Sequence, residues 1–489
     1  MPMQREEARR ILLLLGCYYL MQLAVRLWVS PGLELDEAEQ LILTQQMSLG
    51  YGSQPPLYTW LLSGLFALFG VSIFSLALLK NLLLCGTCLA TYRGTRELGC
   101  RRETALAATF SLLLLPQIVW ESQRDLTHSV LVTTVTALSL FLWLRLGRRP
   151  TAGGYLLLGL CWGVGFLSKY NYGIFLVSLL LAAVTLPDWR RRLADRRILL
   201  SLAGLAAVLT PHLFWISANL STTLSQSGKF KQAAKAGYLR AVATGTGNLV
   251  MASLAFCLPL LLIYGLLLYR GRAERLPSVE PSRTLPLRTI GIALVFCFCL
   301  ALLFRVTVFK DRWMQPILFF LPLALAPWME QRFLQGGWML LRRLLPVVAA
   351  VVLAVMAFRP WLAARTGGVT RFNLPYATLA AGLQLQWAQV DLVVAQNRLL
   401  GGNLRLAFPA LRVAVPEAPL FRQEHPRTLL AVWESGSPDD PAIPYGQLLQ
   451  QLTGTGGMVT AQGVLQAPLR FLPQRTLQLS WRAYAGTGR

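Results

Sequence analysis

The chain has 489 residues, of which 55% are hydrophobic and only 14% charged, whereas soluble domains carry about 25% charged residues. That composition excludes a string of soluble domains and points to an integral membrane protein. The 46 Lys and Arg against 22 Asp and Glu give a net charge of +24, but these cations sit mostly in short gaps between apolar runs, as topology signals do, so nucleic acid is not an expected partner.

In chain order, apolar runs long enough for a hydrocarbon layer of about 30 Å fall at residues 11–30, 73–92, 104–120, 127–147, 198–216 and 247–269. Shorter or interrupted runs at 154–168, 171–187, 289–306, 314–330 and 344–359 bring the expected number of transmembrane helices to about eleven. Residues 11–30 are too long for the apolar core of a cleaved signal peptide and lack a small-residue cleavage site, so they read as the first span. The stretch 57–70 is shorter than the roughly 20 residues a span needs.

Arginine placement decides how 57–70 is read, because inner loops carry the excess of Lys and Arg. With 57–70 left out of the spans, the inner loops hold Arg5, Arg9 and Arg10, then Arg93, Arg96, Arg101 and Arg102, then Arg145, Arg148 and Arg149. They continue with Arg190–Arg192, Arg196 and Arg197, with Arg270 to Arg288, and with Arg332, Arg342 and Arg343, while residues 31–72 contain no Lys or Arg. The segment 57–70 is therefore expected to lie at or dip into the outer surface, with the amino terminus inside and residues 360–489 outside.

The carboxy-terminal segment has a different texture. Short alternating runs at Asp391–Ala395, Leu411–Val415 and Leu429–Trp433 predict strands, Leu399–Phe408 and Tyr445–Leu452 predict helices, and Gly and Pro punctuate the rest. The expected architecture is an α-helical polytopic transmembrane domain over 1–359, including an outer loop at 31–72, followed by a small extracytoplasmic α/β domain over 360–489. Seven of the eight cysteines lie in apolar runs, where a thiol acts as a small hydrophobe. Cys85 and Cys88 spell C-x-x-C inside one helical run with no second pair, so neither zinc nor a disulfide framework is expected.

Polar chemistry collects beyond the first span. The stretch Glu34-Leu-Asp36-Glu37-Ala-Glu39 places four carboxylates there. Asp36 followed three residues later by Glu39 fits an N-cap with its capping-box partner, with Gly50 and Gly52 ending the helix. Alternatively, Asp36 or Glu37 is a base facing a cleft; adjacent helical residues point about 100° apart, so both do not serve one atom. Gln54-Pro-Pro-Leu-Tyr58-Thr-Trp60 follows, with paired prolines that fix an extended approach. Tyr58 and Trp60 suit an interfacial anchor, and Gln54 and Tyr58, with Tyr172 farther along the chain, are the candidates for a lipid-headgroup and acceptor cleft.

A second cluster, Glu121-Ser-Gln-Arg124-Asp125-Leu-Thr-His128, separates the third and fourth spans. Arg124 and Asp125 can pair, Asp125 can cap the fourth helix, or Asp125 can complete a two-carboxylate site with Asp36. The chain has six lysines, and five of them (Lys169, Lys229, Lys231, Lys235 and Lys310) map to the expected outer side. Lys169 lies in Leu167-Ser-Lys-Tyr-Asn-Tyr172, and Lys310 in Lys310-Asp-Arg312-Trp313. Snorkelling to headgroups explains a lone lysine; a phosphate clamp needs several converging cations, for which Lys169, Lys310 and Arg312 are suitable donors. His128 and His212 are candidates to join carboxylates around a divalent metal ion, although three histidines without ligand spacing argue against one.

Outer-face carboxylates beside outer-face cations suit a group transfer that draws on a membrane-borne activated donor, since nucleotide sugars are not found outside the cytoplasm. A carboxylate would deprotonate an acceptor hydroxyl, and Lys and Arg would offset charge on a departing phosphate. At this point residues 10–330 resemble the bacterial membrane glycosyltransferases of the GT-C superfamily, related to protein O-mannosyltransferases and aminoarabinose transferases. The resemblance rests on Leu35-Asp36-Glu37-Ala38-Glu39, Ser53-Gln54-Pro55-Pro56-Leu57-Tyr58-Thr59-Trp60 and Arg124-Asp125, with Leu167-Ser168-Lys169 and Lys310-Asp311-Arg312-Trp313 in support.

The resemblance implies a GT-C fold in the bacterial plasma membrane. It implies Asp36 as catalytic base, Asp125 as the second acidic residue of the cleft, Lys169 as a donor-phosphate contact, and 57–70 as a juxtamembrane helix. Many relatives carry His or Lys where this chain has Gln54, which weakens a metal or phosphate role there. The large sugar-binding repeats of eukaryotic protein mannosyltransferases have no counterpart, so a protein acceptor is not favoured. The expected activity is inverting transfer of a hexose or pentose from a polyprenyl-phosphate-linked sugar to an envelope glycolipid or glycan. No cofactor is firmly implied beyond the alternative of a divalent metal ion. The competing readings are a lipid or glycolipid transporter using the same cleft and an assembly scaffold with a decayed site.

Overall fold

Every apolar run expected to cross the membrane lies on helix in the computed structural model, which describes residues 2–224, 237–270, 278–383, 390–418, 420–421, 426–434, 445–453 and 458–485. Lys229, Lys231 and Lys235 lie outside the described residues. Among the described residues, six helical stretches are long and apolar enough on their own to span: 73–97, 128–148, 198–218, 238–270, 281–304 and 315–365. Two bent pairs raise the number to as many as eight.

The bends have local causes. In the pair 102–114 and 117–124, bent by 70°, Leu115 is extended ahead of Pro116, the conformation a residue before proline prefers. In the pair 172–184 and 187–193, bent by 116°, Leu186 is extended and Pro187 opens the second helix, a favoured first position for proline. The long stretch ending at Arg365 is itself broken at Gly336, whose φ of +109° is open to glycine and strained for other residues.

Four amino-terminal helices recur below: α1 (Pro2–Val29), α2 (Leu35–Leu43), α3 (Leu57–Phe69) and α4 (Ile73–Glu97). The 13 residues of α3 reach only ~20 Å at 1.5 Å per residue, short of a ~30 Å hydrocarbon layer. The chain forms two compact units. Unit 1 comprises 1–19, 53–58 and 80–352, and unit 2 comprises 20–52, 59–79 and 353–489.

Unit 1 is a helical bundle in which small residues set close approaches, as they do where helices meet in lipid. In helix Ala152–Ser168, a Cβ on Gly159 would fall 2.0 Å from the Ser201 carbonyl oxygen, and one on Gly163 would fall 2.6 Å from Val208 Cβ. The Ser201 hydroxyl donates to the Tyr155 carbonyl at 2.6 Å. This packing fixes the helix whose carboxyl end presents Lys169.

Unit 2 carries a five-stranded sheet among its described residues, in the order β2-β1-β3-β5-β4, formed by β1 (Leu392–Ala395), β2 (Val413–Ala414), β3 (Thr428–Glu434), β4 (Met458–Leu469) and β5 (Leu472–Ala485). β1 runs parallel to β2 and β3; β5 is antiparallel to β3 and β4. The first three strands and helices Arg398–Ala407 and Tyr445–Thr453 fall where the sequence places them. The β4–β5 hairpin was not expected. Pro468 and Pro473 argue against strand, and the fold tolerates Pro468 because β4 is an edge strand with a register shift there.

The division expected at 359/360 falls inside helix Trp338–Arg365. This helix stops only at Gly367 (φ +73°), where the Gly368 N–H returns to the Ala363 carbonyl at 2.8 Å, a glycine-terminated helix end. The outer-loop helix α2 belongs to unit 2, packed on helix Arg398–Ala407. A Cβ on Gly402 would lie 2.6 Å from Ala38 Cα. Gly402→Val should therefore push α2 off its seat and cost about 1–3 kcal/mol, read as a lower midpoint of thermal unfolding. An unchanged midpoint would show that this approach is looser than the geometry implies.

Candidate active site

The four carboxylates after the first span all lie in unit 2, and three of them are held by arginines. Glu34, 1% exposed, occupies the N-cap of α2 and is gripped by Arg359 and by Arg371, whose Nη1 lies 2.8 Å from Oε2. Glu37, also 1% exposed, receives Arg26 Nη2 at 2.7 Å and Nε at 3.3 Å. Its Oε2 additionally accepts the Glu34 N–H at 3.1 Å. Arg26 spends its remaining donors on the Ser30 and Gly32 carbonyls at 3.0 and 2.9 Å. Glu39 pairs with Arg398 at 2.5 Å.

The expected capping box is thus displaced by two residues. Glu34 and Glu37 form the reciprocal pair rather than Asp36 and Glu39, and α2 ends at Leu43, well before Gly50. Glu37, expected alongside Asp36 as a candidate base, has both oxygens engaged by Arg26, which makes it part of the framework. Asp36 stands half-buried at the second residue of α2. One turn on, buried Gln40 accepts the Thr59 hydroxyl at 2.9 Å, tying α2 to α3.

Unit 1 gathers the other candidates around the segment 123–129, which leads into helix His128–Arg148. Asp125 is buried there. Two lysines flank it along the chain: Lys80 Nζ donates to the Gln123 carbonyl at 3.3 Å, and Lys169 Nζ donates to Ser129 Oγ at 2.6 Å. The Gln123 amide donates to Asn81 Oδ1 at 2.9 Å. The rings of Tyr58 and His128 lie 5.5 Å apart. Thr127, rather than Asp125, takes the N-cap position of the helix, and Arg124 pairs with Glu121 at 2.6 Å.

Residues 311–315 close on Gln117 and Ser122, just ahead of that segment, and on Asn171. Gln117 Nε2 donates to Asp311 Oδ2 at 2.5 Å, Gln315 Nε2 donates to Ser122 Oγ at 2.9 Å, and Asn171 Nδ2 donates to the Trp313 carbonyl at 3.0 Å. Lys310 is exposed, with Nζ 5.9 Å from the centroid of the Trp313 ring. Arg312 is half-buried, its N–H donating to Asp311. Gln54 is half-buried ahead of α3, whereas Tyr58 is fully buried.

Tyr172 departs from its expected place in a headgroup cleft. It is 0% exposed, its hydroxyl lies 2.7 Å from Ser139 Oγ, and its ring packs against Phe166 and Phe175. The adjacent Lys169–Asn171 turn faces the polar cluster, and Tyr172 already begins the next helix. Lys80 was missed by sequence reasoning. It is the one charged residue in the apolar run 73–92, and an ionisable group inside a span is itself a functional signal. Among the described residues no group of three or more His, Cys, Asp or Glu side chains is placed to hold a metal ion.

A buried carboxylate with two lysines tied to its flanks, at the start of a 21-residue helix whose N-terminus favours anions, is suited to holding a phosphate. Comparisons with known proteins bear on fold and family. Residues 53–215 match the family described as dolichyl-phosphate-mannose-protein mannosyltransferase. The chain is similar to the lipopolysaccharide core galacturonosyltransferase RgtB of Rhizobium johnstonii, 34% identical over 460 residues covering 92% of each chain. It is similar also to RgtA of that organism, described in the same words, 32% identical over 477 residues covering 94% of each.

Among solved structures it is similar to ArnT from Cupriavidus metallidurans bound to undecaprenyl phosphate, with a TM-score of 0.57, 16% identity and coverage of 96% of this chain and 97% of that one. At that identity the likeness speaks for the fold. Taken with near-full-length relatives above 30% identity, it bears out the resemblance carried by the acidic and Pro-Pro motifs: the chain belongs to the GT-C membrane glycosyltransferases, in the family of the lipopolysaccharide core galacturonosyltransferases.

Proposed function

We propose that this glycosyltransferase moves galacturonate from a polyprenyl phosphate to the lipopolysaccharide core at the outer face of the plasma membrane, with inversion at the anomeric carbon. The observation that carries the reading is the match along more than nine-tenths of two lipopolysaccharide core galacturonosyltransferases. A cytoplasmic amino terminus and outer-face chemistry are the orientation that the arginine distribution supports.

In the proposed reaction the acceptor hydroxyl oxygen attacks the anomeric carbon while Asp36 takes its proton. The bond from that carbon to the donor phosphate breaks, and the electron pair leaves on the polyprenyl phosphate. Lys80, Lys169 and the N-terminus of helix His128–Arg148 stabilise the growing phosphate charge. Asp125 is the second acidic residue of the cleft, and Lys310 and Arg312 supply further cations toward the donor. No general acid is needed, because a phosphate leaves readily.

The test is purified full-length protein with labelled polyprenyl-phosphate galacturonate and core lipopolysaccharide. A new glycosidic bond of inverted configuration is the expected product. Lipid movement across a bilayer without such a bond would replace the enzyme by a transporter. In the same assay Lys80→Met and Lys169→Met should each lower turnover by about 10²–10³-fold, the loss seen when a donor to developing charge is removed. Wild-type turnover in both variants would remove the phosphate role from this segment.

A further inference from the structure

A cavity of about 730 Å³ lies within unit 1, lined by one face of α1, by the broken helix 102–124 and by helix Trp338–Arg365. Its wall is almost entirely apolar side chains, and its two ends differ. One end carries Arg102, Glu103 and Arg342; the other carries Tyr19, Cys88 and Gln123. At the uncharged end the polar groups are satisfied by protein: the Tyr19 hydroxyl lies 3.2 Å from Cys88 Sγ, and the Gln123 amide donates to Asn81. A ligand therefore needs no polar group there. At the charged end Arg342 is exposed and Arg102 half-buried, a net positive mouth on an apolar chamber.

The depth is measured along the wall. Arg342 at the mouth and Ala349 both line the cavity, and seven residues of helix rise ~10 Å. That is about a third of a ~30 Å hydrocarbon core, within the depth of one leaflet. Arg102 and Arg342 line the mouth, and by the positive-inside rule that end belongs to the cytoplasmic leaflet. The 123–129 segment of the proposed reaction lies beyond the opposite, uncharged end.

We propose that this chamber holds a glycerophospholipid of the cytoplasmic leaflet, with its phosphate on Arg102 and Arg342 and an acyl chain in the apolar interior. The charge at the mouth selects a phosphate, since guanidinium forks match phosphate oxygens. The one-leaflet depth selects an acyl chain over a polyprenyl chain that is several times longer. The lipid is a resident of the fold, separate from donor and acceptor.

The experiment uses the full-length protein stripped of lipid in detergent, offered phosphatidylglycerol, phosphatidylethanolamine or diacylglycerol, with bound lipid counted by native mass spectrometry. Both phospholipids should be retained and diacylglycerol should not. Arg102→Gln with Arg342→Gln should weaken retention roughly thirtyfold, from about 1 kcal/mol per basic residue near a lipid surface. Leu106→Trp, which fills the wall and leaves both arginines, should also expel the lipid; monodisperse elution and a normal unfolding midpoint confirm that each variant is folded. Equal retention of diacylglycerol, retention unaffected by the arginine pair, or displacement by equimolar undecaprenyl phosphate would overturn the assignment. None of these readouts depends on sugar transfer, so failure here leaves the proposed reaction standing.

Discussion

Asp36→Asn should abolish sugar transfer while leaving the protein folded. The change keeps size and hydrogen-bonding shape but removes the lone pair that accepts a proton, so the loss should reach about 10²–10⁴-fold, the usual contribution of a positioned general base. Its neighbours make the assignment specific. Glu34, Glu37 and Glu39 each spend their charge on arginine, so Glu→Gln at those positions should act first on stability and only through it on rate. Asp36 is half-buried at the second residue of α2. The measurement is turnover with labelled donor beside a thermal unfolding curve. Full turnover in Asp36→Asn, or loss of folding in step with loss of turnover, would move the base elsewhere.

The second large effect is structural. Arg26→Ala should destabilise unit 2 by about 3–5 kcal/mol, because it leaves the carboxylate of Glu37 buried without its partner. Arg26 is 7% exposed and makes contacts to Glu37, Ser30 and Gly32 at once, while its guanidinium lies 4.8 Å from the centre of the Phe372 ring. Removing both charges in Arg26→Met/Glu37→Met should recover much of the loss, since a buried pair replaced by apolar groups of similar volume is often neutral. A double variant no more stable than Arg26→Ala would place the cost in packing around Phe372 instead. Reversible unfolding in detergent, followed by the lost near-ultraviolet signal, separates these outcomes.

The helical runs were legible because apolar stretches leave few alternatives, but their number as spans was not, and the breaks at Pro116 and Pro187 were not expected. The register of α2 was not legible either. Asp36 with Glu39 and Glu34 with Glu37 both satisfy the capping spacing, and what chooses between them is tertiary: Arg359 and Arg371 draw Glu34 into the cap. The β4–β5 hairpin hid behind two prolines, of which Pro468 is accommodated on the edge strand β4 and Pro473 stands at the start of β5. Tyr172 was misplaced for a simpler reason. Neighbouring residues in a turn point to different surroundings, so Lys169 reaches Ser129 while Tyr172 turns into the bundle. Lys80 was within reach of the sequence, because a single cation inside an apolar run is costly unless it has work to do.

The grip on Glu34 and Glu39 also sets a timetable for biogenesis. Arg359, Arg371 and Arg398 follow their partners by 325, 337 and 359 positions. During N-to-C synthesis, the short helix bearing Asp36 leaves the ribosome long before three of its clasps exist. Those three clasps close only when the last quarter of the polypeptide arrives, so a nascent chain arrested before Arg359 holds this helix through Arg26 on Glu37 and Thr59 on Gln40 alone, with the arginine partners of Glu34 and Glu39 still to come.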